Sequence, residues 1–272
     1  MVSMLQQVSG AFIGHKGIMK KLLISFLVVT GVVHATSAKF PKRLIQEIEA
    51  KYLEKYKDLS DSQKQEKYLI AISELAELGD YEGAITLAES GYKLKHITLD
   101  YYDLFLSLLR LHGTKERYNE VFNDLFHENF RIKNEEEKSV LGDIILDYML
   151  LNSVLSHELK PRIENVYKSI SESSFKSRSQ LVQSIIYAKK TKYKEALALI
   201  KPTQYSGLEE LLYYAFLQKM NGLPLTSKSP TLSNIYKDLI ALIETTDKEK
   251  LVETLKGHED ILEESPLYEV LK

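Results

Sequence analysis

Apolar residues recur at steps of three and four from Tyr68 through Ile72, Leu75 and Ala76, stop at Gly79, and resume at Tyr81, Ala84, Ile85 and Ala88 up to Gly91. Such steps place side chains on one face of an α-helix, and a glycine just past the last periodic residue is a stop signal. The pattern predicts two helices joined by a short turn. It returns in Tyr101, Leu104, Phe105, Leu108 and Leu109, ending near Gly113, followed by Tyr118, Val121, Phe122 and Leu125. Leu106 is apolar on the far side, so this helix is expected to be covered on more than one flank. Glu135-Glu136-Glu137 after Asn134 reads as a helix start, where negative charge is favourable. Leu141, Ile144, Ile145, Tyr148 and Leu151 continue that helix. The 6 prolines all lie beyond residue 38, and long segments between breakers favour helix over strand.

The pattern also repeats over a longer distance. Tyr81, Ala84, Leu87, Leu99 and the pair Tyr101-Tyr102 recur 112 positions on as Tyr193, Ala196, Leu199, Leu211 and Tyr213-Tyr214. Tyr118, Val121 and Leu125 repeat the spacing of Tyr81, Ala84 and Ala88 after 37 positions, and three such steps nearly make the longer offset. A period near 37 lies in the range of two-helix solenoid units, in which each hairpin buries its apolar face against its neighbours.

Tyr68, Gly79-Asp80-Tyr81, Ala84 and Ala88 form a unit that resembles a tetratricopeptide repeat: an early aromatic, a Gly-Asp-Tyr turn, then a small residue between the paired helices. Phe105, Tyr118, Val121 and Leu125 give a second such unit, and Tyr193, Ala196 and Ile200 a later partial one. The second unit has its glycine displaced to Gly113, Thr191 stands at the glycine position of the later copy, and a unit-ending proline is suggested only by Pro202. The stretch from Glu135 to Ser171 matches in helical periodicity alone. The resemblance implies an all-α protein, an α-solenoid of stacked helical hairpins forming a right-handed superhelix. It also implies a groove lined by first-helix residues, here Glu66, Ser73 and Glu77, then Asp103 and Arg110, then Arg178 and Lys189. The sign changes along the groove, acidic first and basic later. The Lys and Asn pattern with which some family members clamp a terminal carboxylate is absent, because Glu66 and Ser73 hold two of its places.

Outside the repeats, MKKLLISFLVVTGVVHATSA from Met19 has a basic start, an apolar run from Leu22 to Val33 and small residues at Thr36 and Ala38. This is the pattern of a secretory signal peptide, and it fits a start at Met19 better than one at Met1. The run is short against the ~20 residues that span a bilayer. Cleavage after Ala38 is expected, with Ala35 as second choice. The predicted organisation is therefore a signal peptide over 1–38, an N-terminal capping helix over 39–60 with Leu44, Ile45, Ile48 and Tyr52 on one face, and repeats over 61–222. A proline-bounded loop over 223–230 and a C-terminal helical unit and cap over 231–272 follow, with helices near 231–245 and 247–256.

Composition narrows the function. The formal charge is -2, and it becomes more acidic once Lys16, Lys20 and Lys21 leave with the leader, which argues against a nucleic-acid partner. With 0 cysteines there is no disulfide framework, thiolate metal site or lipid-modified Cys, which suits a periplasmic or secreted chain. Glu89-Ser90-Gly91 resembles the catalytic Glu-Ser pair of lytic transglycosylases, but no Gly-Leu-Met-Gln-like companion follows, and glycosidic chemistry ordinarily needs a second carboxylate in a cleft. Ser173-Ser174-Phe175-Lys176 contains Ser-x-x-Lys without Ser-Asp-Asn or Lys-Thr-Gly companions. His127-Glu128, His157-Glu158 and His258-Glu259-Asp260 lack the spacing that puts two imidazoles on one helical face for zinc. His112, before Gly113, is expected to serve the last-turn carbonyls. The expectation is a non-catalytic exported scaffold that binds a protein or peptide, with no cofactor, metal, nucleic acid or, after cleavage, membrane. The competing expectation is a cell-wall-acting, lytic-transglycosylase-like enzyme whose site forms only in three dimensions.

Overall fold

The computed structural model describes residues 57–127, 132, 134–170, 172–200, 208–225, 234–258, 262 and 265–272, so the leader and the capping helix expected over 39–60, as far as residue 56, lie outside the described residues, while residues 57–60 form a turn and not the expected end of that helix. The described residues are all-α. In chain order the helices are α1 (Asp61–Glu77), α2 (Tyr81–Gly91), α3 (Leu99–His112), α4 (Lys115–His127), α5 (Glu135–Asn152), α6 (Pro161–Ser169), α7 (Ser173–Lys189), α8 (Tyr193–Leu199), α9 (Leu208–Met220), α10 (Asn234–Thr245), α11 (Lys248–Lys256) and α12 (Pro266–Leu271), with a 3₁₀ turn at Ser156–Glu158. The chain divides into two compact units, one reaching to Phe122 and the other beginning at Asn123.

Polar side chains start several of the helices. Ser60 and Gln63 form a capping box on α1, in which the Ser60 hydroxyl accepts from the Gln63 amide and the Gln63 side chain accepts from the Ser60 amide. Asp80 caps α2 by accepting from the Gly83 amide at 2.9 Å, and Asn134 caps α5 by accepting from Glu137 at 2.8 Å. Each satisfies one of the orphan amides of a first helical turn.

One turn ends four of the long helices. After α1 the chain passes through Gly79 at φ 79, and the Asp80 amide reaches back to the Leu75 carbonyl at 2.9 Å. After α5, Ser153 has φ 52 and Val154 donates to Met149 at 2.9 Å; after α7, Thr191 has φ 57 and Lys192 donates to Tyr187 at 2.8 Å. After α9, Gly222 has φ 71 and Leu223 donates to Gln218 at 2.9 Å. A left-handed residue followed by a backward amide-to-carbonyl bond closes off the last carbonyls of a helix. Thr191 thus adopts the backbone of the glycine it replaces, and Ser153 brings the same turn to the stretch that matched only in periodicity. Gly113 differs: its φ of -95 is extended, and α3 passes to α4 through Gly113 and Thr114.

The first unit packs α1 on α2 and α2 on α3. Ala84 and Ala88, both fully buried, let the paired helices approach, as the sequence predicts. In α3, Tyr101, Tyr102, Leu104, Phe105, Leu106, Leu108 and Leu109 are all buried. That burial extends around the helix, in keeping with Leu106. Gln65 is a polar member of this core at 1% exposure. Its amide donates to the carbonyls of Lys95 and His96 and its oxygen accepts from the Thr98 amide at 3.0 Å, which fastens the α2–α3 loop to α1.

In the second unit α7 packs on α5 and α8, and α9 packs on α8 and α10. Ser184 on α7 is fully buried; its hydroxyl donates to the Ala196 carbonyl of α8 and accepts from the Tyr213 hydroxyl of α9, each at 2.9 Å. One small side chain thereby joins three helices. The last helix, α12, packs on α7 and α9 and more thinly on α11, with Leu267 and Leu271 buried. The predicted C-terminal helices correspond to α10 and α11, and the terminal segment to α12.

Candidate interaction surface

The first-helix residues expected to line a groove fall in both units. On α1, Glu66 and Glu77 are exposed and Ser73 is half-buried. Their spacing of seven and four keeps them on one stripe. Ile70, between them, is one of the exposed large apolar side chains. Glu74, beside this stripe, has its carboxyl raised above the usual range by partial burial and then by the charge of Glu77. On α3, Asp103 and Arg110 are half-buried, seven residues apart, and both already take part in interactions. The first unit therefore presents a mixed acidic, apolar and basic set.

In the second unit Arg178 is exposed on α7 and forms an ion pair with Asp143 of α5. Burial pushes the Asp143 carboxyl up, Arg178 pulls it back, and Asp147 and Glu172 push it further. Arg178 is thus the counter-charge of an acidic group and not an isolated cation. Lys189 lies half-buried in the last turn of α7, where a cation complements the helix dipole.

The residues with enzymatic precedent have partners of other kinds. Both carboxylate oxygens of Glu89 accept from Arg117, from Nε and from Nη2, each at 2.7 Å. Arg117 also donates to Glu120 at 2.8 Å and lies over the Tyr92 ring at 5.4 Å. The hydrogen bond to Glu89 raises the guanidinium pKa further. Such a two-pronged pair fixes orientation as well as charge. The Glu158 carboxylate accepts from the Leu155 amide at 2.6 Å and from Lys190 at 3.3 Å, and the first of these holds it below the usual carboxylate range. Ser173 and Lys176 are exposed at the start of α7. His112 stacks on Tyr81 with centroids 3.6 Å apart at 11° instead of serving the last-turn carbonyls, and burial lowers its pKa.

Among the described residues no group of three or more histidines, acids or cysteines is placed to hold a metal ion, and no described helix is long and apolar enough to cross a membrane. A shallow depression beside Gly222 is bordered by Lys219 and Lys248. These donate to the carbonyls of Glu244 and Met220, at 2.6 and 3.2 Å, so they close helix ends.

Sequence reasoning passed over Gln65, Ser184 and Arg117. Gln65 had a signal, since it occupies a slot on the apolar stripe of Tyr68, Ile72 and Leu75. Ser184 likewise lies one turn before Ala188. Arg117 had none, because its partner is 28 residues away on another helix.

No protein-family model matches this chain, and no curated protein or solved structure resembles it significantly.

Proposed function

We propose that this chain is an exported, non-catalytic interaction scaffold, periplasmic or secreted, built of tetratricopeptide-like hairpins. In this reading it holds a protein or peptide on the first-helix side of those hairpins. The observation that carries the reading is the turn shared by α1, α5, α7 and α9: four long helices hand the chain on through one backbone geometry. Repetition of a hand-off is what a series of alike hairpins requires, and such series commonly serve as binding surfaces. Export rests on the leader from Met19. The engagement of both Glu89 oxygens by Arg117 gives that carboxylate a structural occupation, which favours the scaffold over the cell-wall enzyme.

Recognition is tested by site-specific photocrosslinking. A crosslinking residue in place of Ser73, between Glu66 and Glu77, is expected to trap a defined partner in the native cell envelope. The same residue in place of exposed Thr86 on α2 is expected to trap none. Equal crosslinking at both positions, or none at Ser73, would remove the assignment.

A further inference from the structure

The last helix lies on the side of the second unit that the proposed reading assigns to ligands. α12 packs on α7 and α9, the first helices of two hairpins, and more thinly on α11, and makes no comparable contact with the second helices α8 and α10. It has 6 residues, PLYEVL. Isolated helices are marginal in water below ~12–15 residues, so this one depends on the surface beneath it. Leu267 and Leu271, one turn apart, are buried there, whereas Tyr268, Glu269 and Val270 are only half-buried. The segment carries its own start: the Ser265 hydroxyl accepts from the Leu267 amide at 3.2 Å, and Pro266 at the first helical position has φ already set for a helix. A short capped helix with two leucine anchors four residues apart, laid on two neighbouring helices, matches helix-in-groove peptide recognition.

We propose that the trough between α7 and α9 is a helix-binding groove which α12 occupies in cis, and that in trans it accepts a short amphipathic helix presenting leucines at positions i and i+4. The inference rests on the first-helix side being the binding side. An occupant in cis lowers the apparent affinity for any ligand in trans by the fraction of time the groove stands open, so loosening α12 raises that affinity.

The probe is a fluorescent peptide of residues 264–272, ESPLYEVLK, titrated by anisotropy into the full chain and into the full chain carrying Leu267→Ala with Leu271→Ala. The variant is expected to bind at least tenfold more tightly than the unaltered chain, and a peptide with both leucines replaced by alanine is expected to bind neither. Hydrogen exchange on the unaltered chain, which needs no variant, is expected to show α12 amides exchanging at least tenfold faster than those of α9. Equal exchange in α12 and α9 would make α12 plain core and overturn the proposal. Loss of the variant's helical signal would do the same, as would a folded variant that binds no more tightly. Crosslinking from Ser73 lies in the other unit and uses no peptide, so either experiment can fail while the other stands.

Discussion

Gly91 closes α2 at a point where the chain has no room for a methyl group. A Cβ built there would fall on the hydroxyl of Tyr101 and lie 2.9 Å from Cγ of Tyr68. Both rings are in the core, with Tyr101 at 1% exposure, and burial raises the pKa of its phenol well above the usual range. The hydroxyl donates to the Ala88 carbonyl at 2.8 Å, so the ring cannot turn away without surrendering a buried hydrogen bond. Overpacking costs about 1–3 kcal/mol. A buried hydroxyl left unpaired costs a further ~1–3 kcal/mol. Against these, alanine is better than glycine in a helix by about 1 kcal/mol. The net expectation for Gly91→Ala is a loss of about 2 kcal/mol, which at ordinary urea slopes is a fall in midpoint of about 1 M. Urea unfolding followed by far-ultraviolet circular dichroism measures it, and Tyr101→Phe supplies the control. Without the hydroxyl the added methyl should cost less, giving a coupling of at least ~0.5 kcal/mol between the two sites. A Gly91→Ala chain that is as stable as the parent, or more so, would refute the argument, because helix propensity would then have outweighed the close approach.

Exchanging the residues of two matching turns should shift stability in opposite directions. Gly79→Thr is expected to lower it and Thr191→Gly to raise it, each by about 1 kcal/mol, since what a branched residue pays at positive φ outweighs the extra freedom glycine loses on folding; thermal melts that move the same way for both would contradict this. Ala84→Leu and Ala196→Leu each place a larger side chain at a fully buried site and should cost about 1–3 kcal/mol, checked by the same melts. His112 is expected to titrate below the ordinary imidazole value of 6.5, so the unfolded chain takes up the proton first. Its contribution to stability is therefore complete above that pH and is lost as pH falls from it through the lower folded value, and an NMR titration midpoint at or above 6.5 would disprove the burial effect. Glu89→Gln should cost about 0.5–1 kcal/mol, since the pair with Arg117 is partly exposed, and should cost nothing in an Arg117→Ala background; equal losses in both backgrounds would mean the pair is idle.

The helices and several of their ends were legible because they depend on neighbours in sequence. Tyr68, Ile72 and Leu75 mark the buried face of α1, and Asn134 before three glutamates marks the start of α5. The alanines at 84 and 196 were readable as close-packing sites because the longer repeat aligns them. Contacts across helices were not readable. Arg117 meets Glu89, Gln65 meets the carbonyls of Lys95 and His96, and Arg178 meets Asp143, all through partners 28 or more residues away. The turn at Ser153 is not legible in the sequence because serine has no preference for positive φ, and only its surroundings hold it there. The stripe of Glu66, Ser73 and Glu77 follows from helical spacing alone, whereas the commitment of Arg178 to an acidic neighbour required the packing of α5 on α7.

The hydroxyl of Ser184 has a consequence for the order of assembly. Its partners Ala196 and Tyr213 lie 12 and 29 residues further along, so a single contiguous stretch supplies the whole polar junction of α7, α8 and α9. As the chain emerges during synthesis, Ser184 can first donate to the Ala196 carbonyl within the hairpin, which leaves its lone pairs free for the later arrival of Tyr213. Contacts of such short span belong to the class of topologies that fold within microseconds to milliseconds, and they let this part of the second unit form stepwise from its N-terminal side.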